Sequence, residues 1–301
     1  MGNDSAVDSM STVTPETQNP VIEVAAHAGV CYGVERALDL ANRAGREANG
    51  IPVHTLGPLI HNPIVVRELE QHGVALAQTL DDAESGTLVI RAHGVVPQII
   101  EDAKARGLTV LDATCPYVKK VHHAAERLVA EGYQLVVVGE PGHPEVEGIM
   151  GHAGKNAVVV SSADDAESLD LDRKVGVVVQ TTQTVAALSA VVDALLPRVG
   201  ELRVVNTICE ATQERQASAA ELAGRADVMI VVGGRNSGNT RRLAQICTER
   251  CARTHHIEDA SEIEADWFAG AGLIGLTAGA STPAAHIDRA VAAIRDAVQI
   301  R

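Results

Sequence analysis

Three of the five cysteines stand in short stretches of one kind: Gly29-Val30-Cys31-Tyr32-Gly33, Ala113-Thr114-Cys115-Pro116 and Thr207-Ile208-Cys209-Glu210. A β-branched apolar run precedes each one (Val21-Ile22-Glu23-Val24, Leu108-Thr109-Val110-Leu111, Leu202-Arg203-Val204-Val205), and a helical pattern of Ala, Leu, Glu and Arg follows. The spacing predicts a cysteine at a strand-to-helix turn three times over, at intervals of 84 and 94 residues. A lone cysteine at a turn is usually a small buried hydrophobe. Three at matching positions are different, because diverged copies have no packing reason to keep one residue type. Converging thiolates fit zinc with an open position or an iron-sulfur cluster. Structural zinc usually takes C-x2-C pairs, which are absent here. Single cysteines from distant loops better suit a 4Fe-4S cluster whose fourth iron lacks a protein ligand and is free to bind substrate. Cys247 and Cys251 lie four apart on one face of a predicted helix and read as packing residues.

Of the twelve histidines, His61, His93 and His143 fall in loops that end predicted strands. A donor that is neutral or cationic near neutral pH can hold an anion there, although each ring can also just bond its own loop. Glu145, in Gly142-His143-Pro144-Glu145-Val146-Glu147-Gly148, can favour a helix start. In a dry pocket beside negative groups it can instead act as a proton donor with a raised pKa. Thr181 and Thr182 can pass a proton or cap the next helix. Gly233 to Thr240 reads G-x-x-x-x-G-N-T, a phosphate loop in which Asn239 stands where the lysine should be. Nucleotide triphosphate hydrolysis is thereby disfavoured, while an anion cradle from Asn236, Ser237 and Asn239 survives. Ser281 offers another hydroxyl beside a helix start. Such a set suits redox chemistry on a phosphorylated or diphosphorylated substrate.

Positioning these residues requires a repeated framework. After each cysteine unit comes a second strand (51–55, 134–138, 228–232), then a Gly-containing loop, an acidic turn (80–84, 163–167, 258–262), and a final strand with a polar end. His61 lies 30 residues beyond Cys31, His143 lies 28 beyond Cys115, and Ser237 lies 28 beyond Cys209. The chain therefore reads as a threefold internal repeat of α/β units with parallel sheets, which most simply assemble around one central site. Ligands in such sheets sit beyond the carboxyl ends of the strands. The expected division is a disordered leader over 1–20, then units over 21–107, 108–201 and 202–301.

The composition sets outer limits. A chain of 301 residues with 46% hydrophobic content can fill two or three cores, and with 2% aromatics these must be built from Val, Ile, Leu and Ala. A net charge of −14 argues against broad nucleic-acid or anionic-membrane binding. An odd cysteine count and the lack of a signal-like start imply a reducing, cytoplasmic setting, and no apolar run is long enough for a membrane span.

Taken in order, several motifs together resemble the LytB/IspH family. They include Gly29-x-Cys31-x-Gly33-Val34, His61-Asn62, Ala92-His93-Gly94-Val95, Asp112-Ala113-Thr114-Cys115-Pro116 and Gly142-His143-Pro144-Glu145. Gln180-Thr181-Thr182, Cys209-x-Ala211-Thr212, Asn236-Ser237-x-Asn239 and Thr277-Ala278-Gly279-Ala280-Ser281 continue the match, which spans residues 21–300. The resemblance implies reductive dehydroxylation of 4-hydroxy-3-methylbut-2-enyl diphosphate to isopentenyl and dimethylallyl diphosphates, the last step of the methylerythritol phosphate route. It also implies a pseudo-threefold trefoil of the three α/β units around a central 4Fe-4S cluster on Cys31, Cys115 and Cys209, with the diphosphate held by His61, His93, His143, Thr181, Ser237, Gly238, Asn239 and Ser281. Glu145 and Thr181 would manage protons, and a ferredoxin or flavodoxin would bring electrons, since no flavin or nicotinamide fingerprint is present. The chain departs from the family at Gly238, where a second Ser is usual, and at Val30, where Phe is common. A paralogous reductase on another allylic or phosphorylated substrate, a non-catalytic cluster-bearing sensor and a zinc protein stand as alternatives.

Overall fold

The computed structural model describes residues 19–299, so the leader reading falls outside it for residues 1–18. The chain begins with β1 (Val21–Val24), α1 (Tyr32–Arg46), β2 (Val53–Leu56), α2 (Pro63–Gln71), β3 (Val74–Ala77), β4 (Thr87–Ile90), α3 (Pro97–Ala105) and β5 (Thr109–Asp112). It continues through α4 (Pro116–Ala130), β6 (Gln134–Val138), α5 (Pro144–Ala153), β7 (Ala157–Val160), α6 (Ala163–Glu167), β8 (Lys174–Val179), α7 (Val185–Leu195) and β9 (Glu201–Val204). Last come α8 (Glu210–Ala223), β10 (Val228–Val232), α9 (Gly238–Thr248), β11 (Thr254–Ile257), β12 (Leu273–Ala278) and α10 (Ala284–Gln299).

The strands form three four-stranded sheets, ordered β3-β2-β4-β5, β7-β6-β8-β9 and β11-β10-β12-β1, and every pairing is parallel. The central strands are continuous apolar runs such as Leu135-Val136-Val137-Val138, as expected for sheets covered on both faces. Their alternation splits each core in two. Leu135 and Val137 pack against α4 and α5, whereas Val136 and Val138 pack against α6 and α7. The first sheet is likewise covered by α1 and α2 on one face and α3 on the other, and the third by α8 and α9 opposite α10. Cys247 and Cys251 are buried in the half-core under α8 and α9, as packing residues. Burial raises the Cys247 thiol to about 12.

Hydrogen bonding redistributes one strand per unit relative to the boundaries drawn at 107 and 201. β5 pairs with β4 and β9 with β8, so the strand ahead of each cysteine closes the preceding sheet. β1 closes the third sheet against β12, joining the start of the described chain to its end. The helices after the cysteines belong to the following unit: α1 lies over the first sheet, α4 over the second and α8 over the third. Each cysteine therefore marks the point where the chain passes from one sheet to the next. The acidic turns are capping boxes, made by Thr79 with Asp82, Ser162 with Asp165 and Asp259 with Glu262. Among the described residues no helix is long and apolar enough to cross a membrane.

Candidate active site

In the first two sheets the two middle strands send their connections in opposite directions, and in the third β10 leads on to β11 while β12 leads into α10 on the other face, which opens a crevice at their carboxyl ends. Residues at all three crevices, together with the cysteines, line one cavity of about 90 Å³: Cys31, Cys115, Cys209, His61, His93, His143, Glu145, Thr181, Ser237, Gly238, Asn239 and Ser281. Every site residue expected from the sequence is brought to this cavity except Asn236, which is exposed and lies outside its lining. Val30 is half-buried and lies outside its lining.

The cysteine positions are built alike. Cys31, Cys115 and Cys209 are the N-cap residues of α1, α4 and α8. Their backbone N–H groups donate to Ala280 O at 3.3 Å, Ala92 O at 2.9 Å and Thr181 O at 3.2 Å, which hangs each cysteine on the loop after the third strand of a neighbouring sheet. The helix N-termini favour thiolates, while burial pushes the Cys115 and Cys209 thiols up. The Cys209 sulfur also contacts Thr212 Oγ1 at 2.9 Å. Gly33 is required by closeness: a Cβ there would lie 2.4 Å from the Cys115 sulfur and 4.0 Å from that of Cys31.

These residues fit a thiolate-bound cluster. All three cysteines are free, partly buried and face one cavity. Arg215, only 4% exposed, also lines the cavity and takes part in no ion pair among the described residues. A buried cation of this kind needs an anionic companion.

In the same cavity as the thiols, the rings of His61, His93 and His143 stand with centroids 4.2, 5.2 and 5.7 Å apart. Burial, then mutual repulsion and the cations Arg91 and Arg241, lowers His61 to about 4, and burial with the same two cations lowers His143 to about 4. His93 is held well below the usual histidine value, first by burial and then by the other two rings. His143 Nδ1 accepts from Glu145 N–H at 3.1 Å, which leaves the proton of the neutral ring on Nε2, the nitrogen nearer Gly238. His61 Nε2, His93 Nδ1 and both amide atoms of Asn239 are buried without partners, so the cavity carries polar groups prepared for a ligand.

Glu145 is 2% exposed. The Thr181 N–H donates to its Oε1 at 2.6 Å and the Thr181 hydroxyl donates to its Oε2 at 2.9 Å. Burial outweighs these bonds and raises the carboxyl to about 7. Ser237 caps α9, and the Ser281 hydroxyl donates to His61 O at 3.2 Å, stitching the third unit to the first.

The sequence pattern of the LytB protein family matches residues 22–295. Curated relatives include the 4-hydroxy-3-methylbut-2-enyl diphosphate reductase of Pelobacter propionicus, 48% identical over 90% of this chain and 96% of its own length. That of Citrifermentans bemidjiense is 50% identical over 89% and 94%. The chain belongs to the LytB protein family. Two solved reductase structures share the fold. One, described as (E)-4-hydroxy-3-methyl-but-2-enyl diphosphate reductase, the terminal enzyme of the non-mevalonate pathway, is 43% identical with a TM-score of 0.68, over 91% of this chain and 99% of its own. The other, from Plasmodium falciparum, is 28% identical with a TM-score of 0.87, over 91% and 88%.

Within this LytB chain the repeat register differs in one place from the sequence reading. Asn62, not His61, takes the N-cap position held by His143 and Ser237 in the other units, so His61 sits one residue ahead of its expected equivalents. The turns closed by Gly94 N to Arg91 O, Gln183 N to Gln180 O and Thr282 N to Gly279 O align Thr182 with His93 and Ser281. Thr181 instead matches Ala92 and Ala280, and its hydroxyl serves Glu145. Sequence reasoning missed Arg215, Arg91 and Arg241. Their only signal was a basic side chain near a site motif, which is common on any solvated helix.

Proposed function

We propose that this chain is an iron-sulfur reductase that removes the allylic hydroxyl of 4-hydroxy-3-methylbut-2-enyl diphosphate, giving isopentenyl and dimethylallyl diphosphates. The observation that carries the reading is one cavity shared by three free thiols, a cluster of three neutral histidines and a buried glutamic acid raised to about 7. The names of the curated relatives and solved structures support the same substrate.

Cys31, Cys115 and Cys209 hold a 4Fe-4S cluster in this reading. When bound, such a cluster supplies single electrons and a Lewis-acidic iron for the hydroxyl oxygen. The chain's own residues do the rest. The diphosphate is received by His61, His93, His143, Ser237, Asn239, Ser281 and the Gly238 backbone at the N-terminus of α9, where peptide N–H groups favour an anion. Overall the reaction takes up two electrons and two protons, breaks one C–O bond and releases water. Glu145 is the acid that protonates the departing oxygen, and Thr181 holds its carboxyl in place. Electrons come from an external carrier of ferredoxin or flavodoxin type, in a reducing cytoplasmic compartment that suits five free cysteines.

Anaerobic purification followed by turnover of the hydroxylated diphosphate with a reduced one-electron donor tests this. A brown protein with iron and sulfide that forms both products is expected. A colourless protein with stoichiometric zinc, or an iron-loaded one inert toward the diphosphate, would overturn the assignment.

A further inference from the structure

Arg215 is the one buried cation among the cavity-lining residues, and its surroundings are unusual for a guanidinium. Its Nη1 donates to Ala211 O and its Nη2 to Gly29 O, each at 2.7 Å, while its Nε is buried without a partner. Those two carbonyls belong to different ends of the fold: Gly29 lies in the turn that presents Cys31, and Ala211 lies in the first turn of the helix that Cys209 caps. The side chain therefore ties one cysteine turn to another across 186 residues of sequence. Guanidinium stays protonated, so burial leaves a full positive charge inside the protein. The negative groups that face it are Cys31, Cys209 and Glu214. Glu214 is about half exposed and lies 3.7 Å from His27, which leaves the cysteine sulfurs as the buried counter-charge.

We propose that Arg215 is the charge partner and positioning residue of the cysteine triad, clamping the Cys31 turn to the Cys209 helix and raising the reduction potential of the cluster held there. The inference rests on the cluster reading above. A fixed cation beside a cluster stabilises the more negative, reduced form, so its removal makes reduction harder. Hydrogen bonds to neutral carbonyls alone would give no such electrostatic effect.

The test uses wild-type protein, Arg215→Gln and Arg215→Lys, each purified anaerobically, with iron and sulfide content and a potentiometric titration followed by electron paramagnetic resonance. Arg215→Gln is expected to show a midpoint potential shifted to more negative values, and Arg215→Lys, which keeps the charge but loses the planar fork, a potential near wild type. A loaded Arg215→Gln protein with the wild-type potential overturns the proposal. Should Arg215→Gln hold no iron, the lysine variant decides: iron at wild-type potential supports the charge role, and no iron overturns it. Absence of iron from the wild-type protein would instead remove the cluster reading itself, so the two failures are told apart.

Discussion

A carboxyl raised to about 7 by burial is still about half protonated at neutral pH, which makes Glu145 an acid where most glutamates are already ionised. Turnover should accordingly fall as pH rises through this value. Replacement Glu145→Gln keeps shape and one hydrogen-bond pattern but removes the proton, and a loss of about 10²-fold or more in kcat with the iron content unchanged is expected. Near-normal anaerobic turnover of the variant would take Glu145 out of its role. At Gly238 the opposite change is informative. A Cβ there would meet Glu140 carboxylate oxygens at 3.6 and 3.7 Å and His143 Nε2 at 3.7 Å, all ordinary contacts, so a serine fits and adds a hydroxyl to the anion cradle. Gly238→Ser should tighten diphosphate binding roughly fivefold, the worth of about 1 kcal/mol for one hydrogen bond. Unchanged or weaker binding in a titration counts against placing the diphosphate at this helix start. Both residues were legible in the sequence because they stand in motifs. Arg215 was not, because its meaning depends on burial and on Gly29, which lies far from it along the chain.

At the scale of elements, the periodicity of the chain disclosed every strand that flanks a cysteine and the order of the three units. It did not disclose which sheet each strand would join, since a run such as Leu108-Thr109-Val110-Leu111 carries its period but not its partner. The pairing of β5 with β4 shows that the cysteine turns are crossings between units, and this explains why three of them converge. Convergence demands close approach, and Gly33 in the first turn of α1 is where it is tightest. Gly33→Ala would force its Cβ to 2.4 Å from the Cys115 sulfur. Because α1 otherwise packs through Ala37 and Ala41, the helix and the fold should survive. We expect circular dichroism and the melting midpoint to stay near wild type while iron content after anaerobic purification drops severalfold. A fully loaded Gly33→Ala protein would show that the sulfur position tolerates displacement.

For the whole molecule, burying three histidines in one cavity makes the protein sensitive to acid. In the folded state His61 and His143 titrate at about 4, and burial holds His93 well below the usual value, against about 6.5 in an unfolded chain. Between these values the unfolded chain binds more protons, so stability falls as pH drops from 6.5 toward 4, by about 1.4 kcal/mol per pH unit for each full proton of difference. Glu145 works the other way. Its raised value means the folded state holds a proton that the unfolded chain releases above about 4.5, so its contribution is lost as pH rises toward 7. Buried His122, lowered to about 3, adds to the histidine side, and the net effect is loss of stability on acidification. The melting midpoint of ligand-free protein should therefore decline steadily from pH 6.5 to 4. An anion in the cavity reverses the balance, because negative charge beside the rings favours their protonated form. Binding of inorganic diphosphate at pH 6 should take up protons, seen by calorimetry as an apparent enthalpy that depends on the ionisation enthalpy of the buffer. Uptake should shrink toward pH 8. Buffer-independent heats at pH 6 would mean that the rings meet the ligand as neutral donors throughout, or that the diphosphate binds away from them.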